Sequence, residues 1–205
     1  MINEARNNPV VFSETDTGPC LCGGRTPMTI HAVLQLVLYR QKAMGRHGIH
    51  SPFVYAFIEN VIQDREKKFQ HINDTPVFLC PSCVSSASGK KYSALANRMI
   101  AYLGYKDFLW INDQSHKPSG FYDLVVLHPG HPENWDDDVT SALPLLTKNS
   151  AIWIPSIHSS ARHTDAWQNL CSSAHVLLSI DLYGVGLLFF REEFRERQHF
   201  ILRSE

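Results

Sequence analysis

The sequence predicts an α/β fold: a mainly parallel sheet of about five strands, finished by a C-terminal antiparallel hairpin and preceded by a helical region. Three observations carry this. Near-continuous apolar runs at 107–112, 122–128 and 151–154 suit strands covered on both faces. Amphipathic helical patterns flank and separate them. Two further apolar runs, 176–190 and 198–202, meet across the short polar segment Arg191 to Arg197 and read as the antiparallel pair.

The elements follow in order. Residues 1–27 read as an irregular arm, broken by Asn8-Pro9, Gly18-Pro19, Gly23-Gly24 and Pro27. Residues 28–84 form a helical entry region. Its first helix begins near Thr29, with Ile30, Val33, Leu34, Val37 and Leu38 on one face, and ends at Gly45 and Gly48. Ser51-Pro52 then supplies an N-cap and a proline in the first turn, and Phe53, Phe57, Ile58, Val61 and Ile62 continue a second helix. Residues 64–76 are polar and suit a loop. The α/β domain spans 85–205, opening on a small-residue linker from Ser85 to Gly89. Tyr92, Leu95, Ala96, Met99, Ile100 and Leu103 mark a helix stopped by Gly104. Between the second and third strands, 132–146 suits a helix whose acidic start (Glu133, Asp136 to Asp138) complements the helix dipole. A last helix is expected over Thr164 to Cys171.

Composition narrows the function. The chain has 205 residues, 44% of them hydrophobic and 19% charged, which argues against disorder. A net charge of −1 provides no global field for nucleic acid or an anionic membrane. No apolar run approaches the roughly 18 residues of a membrane span. Met1 to Pro9 contains no apolar core of a secretory signal. Five cysteines are odd in number and too few for a disulfide scaffold, so a reduced, cytoplasmic protein is expected.

Scattered residues in a consistent order carry a family resemblance. Arg46-His47-Gly48-Ile49-His50-Ser51-Pro52-Phe53-Val54 resembles the entry segment of bacterial class I S-adenosylmethionine-dependent methyltransferases of the O-methyltransferase kind. Tyr122 to His131 is similar to that family's fourth strand and its turn, and Ala151 to His158 to its fifth. Ala166-Trp167 fits the following helix, and Ser179 to Phe190 with Gln198 to Arg203 the closing hairpin. The resemblance covers about residues 40–205 and implies a Rossmann-like sheet, with S-adenosylmethionine as the cofactor of the complete fold.

The departures from the family are as informative. Its first strand ends in a Gly-rich turn that lets the backbone approach the cofactor. The matching stretch here, Leu109 to His116, contains no glycine. The acidic residue that holds the cofactor ribose has no counterpart, and about two βα units of roughly 30 residues each are missing. Relatives that bind a divalent metal use carboxylates at the ends of the fourth and fifth strands. Here those positions are His128 and Pro155-Ser156. The expectation is a degenerate methyltransferase-like protein, without normal cofactor binding, serving as a binding or interaction module. The alternatives are an active methyltransferase with an atypical cofactor site or a His-centred metal-dependent hydrolase.

Only Gln114 to Gly120, about seven residues, join the first two strands, fewer than the ten to twelve of an ordinary parallel crossover. Either the link runs straight back over the sheet or the strands are antiparallel, and the retained helices favour the parallel arrangement. Loss of the missing units is expected to expose a sheet edge and apolar surface at the first strand, suited to a homodimer or a protein partner.

Candidate cleft residues are Asn112, Asp113, His128, His131, Ser156 and His158, at the carboxyl ends of strands where α/β folds bind ligands. The three histidines are expected to cluster there. As a trio they could hold zinc, and as turn residues they would face a relict cleft. Cys20, Cys22, Cys80 and Cys83 offer two ligand pairs, but residues 23–79 separate them and Cys-x-Cys spacing is unusual for zinc, so free thiols are expected. Asp123, Trp153 and Trp167 read as structural, and Arg191 to Arg197 as a solvated turn.

Overall fold

A computed structural model describes residues 30–63, 87–111, 120–191 and 193–203. The N-terminal arm, Asn112, Asp113 and the four cysteines considered for zinc lie outside the described residues. Among the described residues, six strands form one sheet: β1 (Phe108–Ile111), β2 (Tyr122–Leu127), β3 (Leu146–Pro155), β4 (Leu178–Asp181), β5 (Val185–Phe189) and β6 (Gln198–Ile201). Their order across the sheet is β1-β2-β3-β5-β4-β6. Only β5 runs against its neighbours; every other pair is parallel.

Helices cover both faces. One layer holds α2 (Pro52–Phe57), its π-helical continuation Ile58–Ile62, and α3 (Ala87–Leu103). The other holds α4 (Trp135–Ala142), flanked by short 3-10 turns at Pro132–Asn134 and Leu143–Leu145, and α5 (Ala161–Ser172). Successive strand residues point to opposite faces. So Leu124, Val126 and Trp153 join the core under α2 and α3, while Val125, Leu127, Ile152 and Ile154 join the one under α4 and α5. This is why β2 and β3 read as unbroken apolar runs. Ser51 caps α2 as predicted, its hydroxyl accepting from the Val54 N–H, with Pro52 in the first turn.

β1 and β2 pair in parallel, with Phe108 opposite Leu124 and Ile111 opposite Leu127. Ten residues, 112–121, separate the two strands, more than the expected link, because β1 closes at Ile111 and β2 opens at Tyr122. Extended chain of that length reaches roughly 33–36 Å, enough to return past a six-residue strand of about 20 Å. Asp123 fixes the pairing: its Oδ2 accepts from the Lys106 and Asp107 N–H groups at 2.7 and 3.0 Å.

Four expectations are corrected. The run 176–190 is not one strand but the hairpin β4–β5, turned at Leu182-Tyr183-Gly184, which raises the count to six. The run at 198–202 is not the antiparallel partner of 176–190. β6 lies parallel to β4, because the segment from Phe190 to Arg197 carries the chain back to the start of β4, where the Gln198 N–H meets the Leu177 carbonyl. Ala87 to Gly89, read as linker, are already the first turn of α3. The exposed apolar surface is not at β1, whose residues are all half-buried although it ends the sheet. It lies on α1 (Ile30–Lys42), where Ile30, Val33, Leu34, Val37 and Leu38 share a face that is 81, 45, 58, 47 and 44% exposed.

The opposite face of α1 sits on the sheet through polar contacts. The Tyr183 hydroxyl donates to the Ala32 carbonyl at 2.8 Å, and the Tyr39 and Tyr183 rings lie 5.4 Å apart. The Tyr39 hydroxyl donates to the Leu202 carbonyl. No described helix is long and apolar enough to cross a membrane.

Candidate functional site

The sequence-predicted histidines divide into two groups. His128 and His131 stay together after β2, their rings stacked at 6.2 Å. His128 Nδ1 accepts from the Gly130 N–H at 3.0 Å, and a Cβ on Gly130 would lie 2.8 Å from the ring, so a larger residue there would force the ring to shift. His131 lies 3.3 Å from Glu133, both on the surface. Backbone anchors hold this turn: Trp135 Nε1 donates to the His128 carbonyl at 3.0 Å, and His163 Nε2 lies 2.8 Å from the Pro129 carbonyl. Burial pushes the His163 imidazole below its usual pKa, partly offset by that carbonyl.

His158 belongs elsewhere. Its Nε2 lies 2.7 Å from Asp181 Oδ2, and its Nδ1 is 3.2 Å from Thr164 Oγ1. An ionised carboxylate only accepts, so Nε2 carries the hydrogen. Asp181 takes two further donors: Trp167 Nε1 on Oδ2 at 3.3 Å and the Tyr183 N–H on Oδ1 at 2.8 Å. His158, Asp181, Thr164 and Trp167 are all buried. Thr164 Oγ1 also donates to the Ser160 carbonyl and lies 3.2 Å from His31 Nε2 of α1. The expected three-histidine cluster is therefore not formed. Among the described residues, no three His, Cys, Asp or Glu side chains are grouped to hold a metal ion.

Two strained turns set this geometry. Ser156 (φ 62°), after β3, and Tyr183 (φ 68°), between β4 and β5, are the only described non-glycine residues with positive φ. The Ser156 N–H donates to the Gly184 carbonyl at 2.7 Å, tying one turn to the other. The Gly184 N–H closes back on the Leu182 carbonyl at 2.9 Å, a three-residue γ-turn centred on Tyr183. Such conformations persist only where surrounding contacts enforce them, and they gather at functional sites. Here Asp181 Oδ1 and the Tyr92 hydroxyl hold the Tyr183 and Gly184 N–H groups.

The His158–Asp181 pair lies at the base of a cleft of about 520 Å³ between α1 and α5. Trp167 and Cys171 of α5 form one wall, Tyr39 and Lys42 of α1 another, and His199 of β6 closes the edge. His199 Nδ1 is 2.8 Å from Ser179 Oγ, and desolvation lowers its pKa. Burial pushes the Cys171 thiol up to about 12, which keeps it protonated and poor as a nucleophile at neutral pH. The cleft thus offers aromatic surface and hydrogen-bonding groups, with the Cys171 thiol held protonated.

Of the predicted residues that are described, the structure brings only His158 into this cleft. Ser156 acts through its backbone, and His128 and His131 lie in the turn after β2. Asp181, Thr164, Tyr183 and His163 were missed. Asp181 had a signal: it is the single acidic residue in the apolar run 176–190. No family model, curated protein or solved structure matches this chain.

Proposed function

We propose that this chain is a methyltransferase-like α/β domain that lacks the cofactor-binding half and works as a binding module rather than a methyl-transfer catalyst. The observation that carries the reading is the parallel adjacency of β1 and β2 across only ten residues. In a doubly wound sheet of order 3-2-1-4-5-6, the first and fourth strands are neighbours. The resemblance assigns β1, β2 and β3 to the first, fourth and fifth strands. Removing two βα units from that order leaves these three strands contiguous and parallel, and shortens the connection between the first two. The observed order and register agree with this.

The described residues do not fit S-adenosylmethionine in the family manner. Among the described residues β1 ends the sheet, with no neighbouring strand beyond it to present an acidic group to a ribose. β2 runs into His128 and β3 into Pro155-Ser156, without a carboxylate to hold a metal. Asp181, at the end of β4, is committed to His158, Trp167 and Tyr183. The His158–Asp181 cleft, within the size range of small-molecule pockets, is the favoured binding location.

Calorimetric titration with S-adenosylmethionine and with S-adenosylhomocysteine tests the reading. No binding is expected at concentrations up to several hundred micromolar. Dissociation constants in the micromolar range for either ligand would overturn it.

A further inference from the structure

The apolar face of α1 has the form of an interfacial helix. Six of the eight exposed large hydrophobic residues among those described lie on α1 or just after it: Ile30, Val33, Leu34, Val37, Leu38 and Met44. At about 100° per residue, the five within the helix occupy an arc of roughly 140°. Arg40 falls about 20° beyond one border of that arc and Lys42 about 40° beyond the other. Both are exposed, and neither has an acidic partner among the described residues. The sequence contains no Asp or Glu at all between Asp16 and Glu59. The far side of the helix is fixed to the protein body by Ala32 and Tyr39. The apolar arc therefore points outward by construction.

We propose that α1 docks on an anionic lipid surface, its apolar arc in the acyl boundary and Arg40 and Lys42 among the headgroups. An apolar arc bordered on both sides by long cationic side chains is the pattern of helices that lie in a membrane interface, because the aliphatic stems cover apolar surface while the charges reach phosphate. Placement of Arg40 and Lys42 in the last turn also suits the helix dipole, but that explains neither the outward apolar arc nor the absence of acids. A second copy fits less well. Docked through the same face, it offers no carboxylate on α1 to pair with Arg40 or Lys42. The net charge of the whole chain, −1, masks this local cationic surface.

Flotation of the full chain with vesicles of equal parts phosphatidylglycerol and phosphatidylcholine, in about 50 mM salt, tests the proposal. The chain is expected to float with these vesicles and not with pure phosphatidylcholine. Leu34→Glu and Arg40→Glu should each weaken binding by about ten-fold or more while leaving the melting temperature unchanged. The proposal is overturned by absence of flotation with the anionic vesicles, or by flotation that both variants retain. Light scattering that shows a dimer dissociated by Leu34→Glu would also overturn it, assigning the arc to a second copy.

Discussion

Replacing Asp181 by Asn preserves the shape of the side chain and removes its ability to serve three donors. In the native protein, Oδ2 faces His158 Nε2 and Trp167 Nε1, and Oδ1 faces the Tyr183 N–H. Asparagine offers one carbonyl oxygen and one NH2 group. With the oxygen at the Oδ2 position, the NH2 confronts the Tyr183 N–H. With the oxygen at Oδ1, the NH2 confronts the histidine and the tryptophan. His158 can switch tautomer and accept; the Trp167 N–H can only donate. Either orientation leaves at least one buried donor unpaired, at about 1–3 kcal/mol. Exchanging the charge-assisted bond to His158 for a neutral one removes about 1 kcal/mol more. The expected loss is roughly 2–4 kcal/mol, and at about 2–4 °C per kcal/mol for a chain of this size the melting temperature falls by about 4–16 °C. Thermal and urea unfolding followed by circular dichroism measure it. The Tyr183 turn also anchors α1 through the Ala32 carbonyl, so trypsin should cut faster after Arg40 and Lys42 in the variant. A loss below about 1 kcal/mol with unchanged proteolysis would mean that Asp181 does not organise these donors.

Two further outcomes concern protonation. The folded pKa of His163 is depressed by burial, so below about pH 6.5 the unfolded chain takes up a proton that the folded chain resists. Its contribution is neutral above that pH and destabilising as pH falls toward the folded pKa, with a slope of up to about 1.4 kcal/mol per pH unit. Urea unfolding at pH 7.5 and 5.5 should show a smaller acid loss in His163→Gln than in the native chain, and equal losses would count against the burial argument. Cys171, with its pKa pushed up to about 12 by burial, should resist iodoacetamide in the folded protein at pH 7.5 and react after unfolding in urea. Peptide-level mass spectrometry decides this, and equal alkylation in the two states would remove the buried-thiol description.

What could be read from the sequence follows from which physical signal each element depends on. β2 and β3 were legible because burial on both faces makes a run apolar whichever way each side chain points, and this holds for Val125 and Val126 alike. The β4–β5 hairpin was not legible, because its turn depends on distant residues. A tyrosine is a poor centre for a left-handed turn, and Tyr183 is held there by Asp181 and by the Tyr92 hydroxyl on Gly184. A Cβ on Gly184 would lie 2.3 Å from that hydroxyl, so the glycine answers to a residue 92 positions away rather than to its neighbours. α1 shows a different limit. Its spacing correctly groups Ile30, Val33, Leu34, Val37 and Leu38, but periodicity states which residues share a face and not where the face points. The polar anchors at Ala32 and Tyr39 on the opposite side decide it, and the face points outward. The histidine cluster failed for a related reason. Position at a strand end brings side chains to one rim, while hydrogen-bond partners decide which of them meet, and the acid that claims His158 lies 23 residues further on in an apolar run. The local rules thus break at Tyr183, at Asp181 and on α1. All three border the same cleft or cover it, as expected where a chain gives up local consistency for a site.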